Sequence, residues 1–153
     1  MKKKLISLAM LVTVFAMQVV GVSAASKTAT MAVVGNSKGY YEVDAMDQEE
    51  LDTVAAADKT TADLIKDINA GTKTLEDLAK AESSIASEIE GKSLVTAFMD
   101  LRKIGDVSKT ADGKYQVTLS VPALTKGMTD VKVLHFSTAR NVWEVITPSN
   151  VDL

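Results

Sequence analysis

Apolar and polar positions alternate most clearly in the last forty residues of the chain. Tyr115, Val117, Leu119 and Val121 alternate with polar residues, which is the pattern of a strand with one buried and one solvated face. Two further apolar runs follow at residues 131–136 and 142–146. The spacing therefore predicts an antiparallel β-module over residues 93–153.

The loop between the last two runs fixes a pairing register. Residues 138–141 form a four-residue connection, and Asn141 suits a left-handed position at its end. One face of the predicted hairpin is then apolar, and a slip of one residue would place Phe136 opposite Glu144. The predicted pairs are Ser137 with Val142, Phe136 with Trp143, His135 with Glu144, Leu134 with Val145, and Val133 with Ile146.

The N-terminal region after residue 24 has a similar but weaker strand pattern. Residues 28–34 and 40–43 are short and apolar, and they flank a turn-forming cluster at 35–39. We expect them to form an N-terminal hairpin over residues 25–45, which can join the same sheet.

Residues 46–91 change to helical spacing. Asp47 and Glu50 fit an N-cap with an acidic residue three positions later, and Gly71 and Gly91 fit helix ends. Two alternatives stay open: the first two helices can be one helix bent near Asp58, and the third can break at residues 83–84. The apolar faces are narrow, so we expect the helices to pack on the β-module and not on each other alone.

The apolar residues at 93–101 fit both the two-residue period of a strand and the 3.6-residue period of a helix. Leu94, Thr96, Phe98 and Asp100 alternate with apolar residues as in a strand, while the same stretch also fits a helical face. The strand interpretation is favoured. The fold class predicted overall is α+β, with a sandwich-like antiparallel β-module preceded by a helical segment.

The first 24 residues have the pattern of a secretory signal peptide. Three lysines at positions 2–4 precede an apolar run at 5–20, and small residues follow at 21–25. Cleavage fits after Ala24 or, one residue later, after Ala25. The alternative is a retained membrane anchor, but a run of about 16 residues is shorter than the roughly 20 that a spanning helix needs.

Net charge and composition limit the classes of partner and of site that the protein can have. Residues 1–24 contain three of the chain's 17 basic residues and none of its 20 acidic ones, so removal of this segment leaves a net charge of −6. A negative, secreted protein is a poor candidate for binding nucleic acid, or membrane after cleavage, because both attract positive surfaces. The chain has no cysteine, which excludes disulfides, thiolate zinc sites and a lipoprotein anchor.

No motif in the sequence indicates catalysis, a cofactor or a metal. The single histidine, His135, lies inside a predicted strand and is interpreted as the partner of Glu144, with a catalytic role in a Ser-His-Asp arrangement as the weaker interpretation. The one acidic cluster is typical of a solvated first helical turn, with calcium as the weaker interpretation. Its members are Asp44, Asp47, Glu49, Glu50 and Asp52.

Few aromatic residues are present to form a carbohydrate-binding face. Trp143 is interpreted as a core residue because it is predicted to lie opposite Phe136. Tyr40, Tyr41 and Tyr115 are the remaining candidates, and one of two adjacent strand tyrosines must face outward.

Two C-terminal strings, KYQVTLSVPALT and VKVLHFSTARNVWEVITPSNVD, resemble the C-terminal β-module of small uncharacterised secreted proteins of Gram-positive anaerobes. The resemblance covers about forty residues and implies no activity. In that group the chain continues past the Val-Asp pair into one or two more strands. The resemblance thus implies either a truncated chain or a sheet that lacks its closing strand and has an edge open to pairing.

The leading functional hypothesis is a secreted, non-enzymatic extracellular binding or structural module whose ligand or protein partner is unknown. The first alternative is a carboxylate-based extracellular hydrolase or hydrolase accessory, which requires two acidic side chains that converge in one pocket. The second is a surface protein that self-associates through an open sheet edge.

Overall fold

The computed structural model of the chain describes residues 10–18, 31–106, 111, 113 and 115–152. Four helices and eight strands lie in this part of the chain, and they confirm the α+β class. The strands are β1 (Met10–Gln18), β2 (Ala32–Val33), β3 (Tyr41–Ala45), β4 (Ser93–Leu94), β5 (Met99–Lys103), β6 (Leu119–Ser120), β7 (Met128–Ser137) and β8 (Val142–Ile146). The helices are α1 (Gln48–Ala57), α2 (Lys59–Ala70), α3 (Leu75–Ala81) and α4 (Ala86–Ile89).

The strands form one large and one small antiparallel sheet. The large sheet has the order β3-β5-β1-β7-β8, and β4 pairs with β1. The small sheet contains β2 and β6. Helical side chains pack with Leu134, Phe136 and Trp143 in one core. Residues of β2 and β6 pack with Val14 and Leu101 in a second core. The helices and the small sheet therefore cover opposite faces of the large sheet.

Capping residues place the helix boundaries. The Asp47 carboxylate accepts hydrogen bonds from the backbone N–H groups of Glu49 (2.7 Å) and Glu50 (3.1 Å) and starts α1. Asp58 has an extended backbone and accepts from the Thr61 N–H (3.0 Å), so α1 and α2 are two helices and not one bent helix. The segment at 83–84 separates α3 from α4.

The C-terminal hairpin has the predicted register. All five expected pairs are present, from Val133 opposite Ile146 to Ser137 opposite Val142. Asn141 has a φ of 50°, which is the left-handed conformation expected of it. The loop length and the apolar face are local features, and they were sufficient to fix this register.

The predicted N-terminal hairpin over residues 25–45 is wrong within the part that the structure describes. β2 pairs with β6, and β3 pairs with β5. Residues 35–37 form a 3₁₀ turn, and the Val34 N–H donates to the Thr118 carbonyl (3.0 Å). The chain is thus held against β6 before it reaches β3, and residues 28–30 lie outside the described residues.

The strand expected at residues 93–101 is present but interrupted. β4 and β5 are separated by Val95–Phe98, where the Val95 and Thr96 N–H groups both donate to the Val14 carbonyl (2.7 and 3.3 Å). The Asn69 side chain bonds both the N–H and the carbonyl of Phe98 (2.8 and 3.1 Å). The helical alternative is wrong. The strand expected at 115–121 shortens to β6, whose two residues pair with the two residues of β2.

β1 lies in the centre of the large sheet, within the segment that the sequence predicts to be a signal peptide. It pairs with β5 and β4 on one side and with β7 on the other. The remainder of residues 1–24, and the cleavage positions Ala24 and Ala25, lie outside the described residues. Within the described part, none of the helices is both long and apolar enough to cross a bilayer.

Candidate functional site

A pocket of about 260 Å³ lies between the helical layer and the C-terminal hairpin. The N-terminal end of α2 and the segment after α3 form one side. Strand β7, the loop after it and the start of β8 form the other. The lining residues are Asp58, Thr61, Glu82, Ser84, Phe136, Asn141, Val142 and Trp143.

Trp143 joins the pocket to the core. Its ring is 5.0 Å from the Phe136 ring and 5.7 Å from the Phe98 ring, the latter in an edge-on arrangement, measured between centroids. The side chain is 8% exposed, and its indole N–H finds no acceptor among the described residues. Because Phe136 and Trp143 are directly opposite in the hairpin, one cross-strand pair supplies an aromatic wall of the pocket.

Two carboxylates from different helix boundaries line the same pocket. Asp58 is the N-cap of α2, and its Oδ1 atom accepts from the Thr61 N–H. Glu82 follows α3, and its own N–H donates to the Leu78 carbonyl (2.8 Å). Burial raises the pKa of Glu82 above its ordinary value, and the negative charge of Asp58 raises it further. The pocket is therefore a site where negative charge is costly and a positive charge would be favoured.

The pocket residues lack the imidazole that would activate a hydroxyl nucleophile. Thr61 and Ser84 contribute hydroxyl groups, but His135 precedes Phe136 in β7 and so points to the opposite face of the sheet. A Ser-His arrangement that uses this pocket is excluded by the alternation of the strand.

His135 instead pairs with Glu144, and this confirms the predicted cross-strand pair. Its Nδ1 atom lies 3.1 Å from the Glu144 carboxylate, which also binds Arg140 at 2.7 Å. Burial lowers the pKa of His135 below its ordinary value, and Glu144 opposes that shift. The second ring nitrogen is buried without a partner in the described chain, so the neutral imidazole is favoured.

A second polar cluster lies across β3 and β5. Asp44 is directly opposite Asp100, and the guanidinium of Arg102 binds Asp44, Glu42 and Asp100. The Arg102 Nε atom is 3.3 Å from Asp100, but it is not aligned for a hydrogen bond, so the contact is electrostatic. The Asp100 side chain is 2% exposed, and burial raises its pKa although Arg102 opposes the shift.

The acidic residues at 44–52 do not act together. Asp47 caps α1, and the Glu50 carboxylate accepts from the Asp47 N–H (3.0 Å) to complete a capping box. Glu49 and Asp52 are exposed on the helix, and Asp44 belongs to the Arg102 cluster. In the described ranges, no group of three or more acidic or histidine side chains is arranged to hold a metal ion.

The tyrosines are divided between the surface and the core. Tyr40 is 41% exposed and Tyr115 is 47% exposed, while Tyr41 is buried. Burial raises the pKa of Tyr41, and Tyr115 adds to that shift. The ammonium group of Lys103 lies 4.7 Å from the centre of the Tyr115 ring. One of the two adjacent tyrosines thus faces outward, as expected, but Tyr40 and Tyr41 do not form a shared face.

Asp58 and Glu82 were not identified as site residues from the sequence. Asp58 was recognised as a helix boundary, and Glu82 precedes the serine pair at 83–84 that breaks the third helix. Both positions were therefore visible as helix ends. Their convergence depends on how the helices pack against the hairpin, which periodicity does not encode.

Comparisons of the chain with known protein families, with curated proteins and with solved structures find no match.

Proposed function

We propose that the protein is an exported, non-enzymatic binding module that takes a small cationic group in the pocket beside Trp143. The observation that carries this proposal is the convergence of the Asp58 and Glu82 carboxylates in one aromatic-walled cavity. Lys2, Lys3 and Lys4 before the apolar run, and the resemblance to secreted Gram-positive proteins, support export.

The electrostatics of the pocket favour a cation. Burial and the charge of Asp58 both disfavour the ionised form of Glu82. A bound ammonium group would offset both effects, since an opposite charge nearby stabilises a carboxylate. Trp143 and Phe136 add aromatic surface, and a cation is attracted to the face of an indole or phenyl ring.

The volume of the pocket limits the ligand. Drug-sized ligands occupy cavities of roughly 300–1,000 Å³, and this pocket holds about 260 Å³. The ligand is therefore a small ammonium group, either a free amine or the cationic end of a larger molecule. The negative charge of the chain without its first 24 residues would raise the local concentration of such a ligand.

A second candidate function uses the same two acids. In a carboxylate-based hydrolase, one carboxyl with a raised pKa donates a proton while the other stays ionised. Glu82, whose pKa is raised, and Asp58 line one pocket, and this is the arrangement of two acids that such a hydrolase requires. The Asp58 carboxylate already accepts a hydrogen bond as the N-cap of α2, which makes it less suited to a catalytic role. We therefore favour binding over hydrolysis.

The test is a calorimetric titration of the protein with tetramethylammonium chloride, with sodium chloride as the ionic-strength control. We expect saturable binding that weakens about tenfold, or about 1.4 kcal/mol, in the Glu82→Gln variant. The matched control is Glu88→Gln, an exposed glutamate in α4 outside the pocket. Absence of saturable binding would contradict the proposal. Turnover of glycosides that Glu82→Gln abolishes would support the second candidate instead.

A further inference from the structure

The central strand of the large sheet, β1, lies in the segment that the sequence predicts to be removed on export. β1 pairs with β7 at eight positions, from Met10 opposite Ser137 to Gln18 opposite Met128. On its other side it pairs with β5 over Met10–Val12 and with β4 at residues 15 and 16. The whole strand lies inside the predicted signal peptide at 1–24.

Cleavage after Ala24 or Ala25 would separate β1 from the rest of the chain. This cleavage rests on the proposed function, which includes export of the protein. β5 and β7 would then each expose a row of backbone N–H and carbonyl groups that β1 now pairs. Unpaired backbone groups in a covered position are strongly unfavourable.

We propose that the cleaved chain presents a slot between β5 and β7 that accepts one extended, apolar strand from a partner polypeptide. The accepted strand lies antiparallel to both β5 and β7, in the direction that β1 has now. The contact is strand addition inside a sheet, with main-chain hydrogen bonds on both sides of the guest.

The sheet does not close over the slot without a guest. Removal of one strand leaves two neighbours about 9.5 Å apart, because adjacent strands are spaced by about 4.8 Å. Helices pack on one face and β2 with β6 on the other, which holds the layers around the slot. The side chains of β5 and β7 are buried in two different cores, so an approach of the two strands would require both cores to repack.

The environment of the slot specifies the chemistry of the guest. Leu134 and Phe136 of β7 face the helical core, while Met99 and Leu101 of β5 belong to the other core. A guest strand must therefore be apolar on both faces, because both of its faces are covered.

Backbone hydrogen bonds hold the guest at the position of Val14, and the side chain there is buried. The Val14 N–H donates to the hydroxyl oxygen of Thr96 (3.1 Å), and the Val14 carbonyl accepts from the Val95 N–H (2.7 Å). Val14 is 2% exposed and Thr96 is 1% exposed. A guest residue at this position must be uncharged and of about the size of valine.

The test begins with the full chain expressed in an exporting bacterium, and the mass of the exported product identifies its N-terminus. The product is then titrated with a synthetic peptide of residues 10–18 that carries two added C-terminal lysines for solubility. Binding is followed by the fluorescence of the single tryptophan. The control peptide carries Val14→Asp, and the control protein carries Ala24→Leu and Ala25→Leu to block cleavage.

We expect the cleaved product to bind the peptide, at least about tenfold more tightly than the Val14→Asp peptide, since the control buries a charge. The uncleaved control protein should not bind it, because β1 occupies the slot. If the cleaved product aggregates alone, refolding from urea should recover native fluorescence with the first peptide and not with the second. Equal recovery with both peptides would overturn the inference.

The remaining outcomes separate this inference from the proposed function. A cleaved, folded monomer that binds no peptide overturns the slot and leaves the cation pocket standing. An exported product that retains residues 1–24 overturns both the slot and the signal-peptide assignment. A dimer that the peptide dissociates overturns the assignment to a partner, because a second copy then fills the slot.

Discussion

Phe136 and Trp143 lie directly opposite each other in the C-terminal hairpin, with their ring centroids 5.0 Å apart. Trp143 also contacts Phe98, in the segment between β4 and β5. The pair thus connects the hairpin to the centre of the sheet and to the helical core. The same indole lines the pocket that contains Asp58 and Glu82.

Replacement of Trp143 by alanine should lower the free energy of unfolding by about 3–5 kcal/mol, the range for large aromatic residues in a core. Urea denaturation followed by circular dichroism measures the change without relying on the deleted fluorophore. Tyr115→Ala is the control, because that ring is 47% exposed and its loss should change stability by about 0.5 kcal/mol or less. Similar losses in the two variants would contradict the core role of Trp143.

His135 should make the protein less stable as the pH falls below about 6.5. Burial lowers the pKa of His135 in the folded state, so the unfolded chain binds more protons in the window below 6.5. The neutral imidazole therefore stabilises the folded state above about pH 6.5, and this contribution is lost as the pH falls and the unfolded chain takes up a proton. Thermal unfolding from about pH 5 to pH 8 measures the effect. The His135→Gln variant should have a flatter profile, and parallel profiles would refute the assignment.

Asp100→Asn should stabilise the protein at neutral pH, by about 1 kcal/mol, because it removes a buried charge with one unpaired oxygen. Burial raises the folded-state pKa of Asp100. The folded state therefore binds the proton more readily, and this carboxyl lowers stability as the pH rises above about 3.8. Arg102 keeps Asp44 and Glu42 as partners in the variant.

The check on Asp100 is a comparison of unfolding free energies at neutral and acidic pH. The advantage of Asp100→Asn should shrink as the pH falls toward about 3.8, because the wild-type carboxyl then takes up a proton in the folded state and loses its buried charge. Asp106→Asn, at an exposed position, serves as the control with no expected advantage. A variant that is less stable than the wild type at neutral pH would show that the ion pair with Arg102 outweighs the burial of the charge.

Asp47→Ala should cost about 1 kcal/mol through loss of the helix cap. The carboxylate satisfies two N–H groups at the start of α1, and no other side chain of the capping box can replace it. Asp52→Ala removes an exposed acid from the same helix and should cost less. Equal losses, measured by urea denaturation, would mean that Asp47 acts through its charge alone.

Local features of the fold could be predicted from the sequence. The loop at 138–141 and the apolar face of the hairpin fixed the pairing of Phe136 with Trp143, and Asp47 with Glu50 identified the start of α1. These features depend on residues that are close in the chain, where spacing and capping chemistry leave few alternatives.

Features that depend on distant contacts could not be predicted. β2 pairs with β6 although each has two residues, since tertiary packing and not propensity selects such short partners. The place of β1 in the sheet was hidden because three lysines followed by an apolar run have the pattern of a signal peptide, which is not expected in the fold. The pocket was hidden for a related reason: Asp58 and Glu82 converge through the packing of three elements.

The most direct test of the cation pocket compares two ligands of similar size by the fluorescence of Trp143. Tetramethylammonium carries a charge and tert-butanol does not, so shape and volume are nearly matched. We predict that tetramethylammonium changes the fluorescence of the wild type in a saturable way and that Glu82→Gln shifts the midpoint about tenfold higher. Tert-butanol should produce no saturable change. Equal responses to the two ligands, or a wild-type response that Glu82→Gln does not alter, would contradict the account.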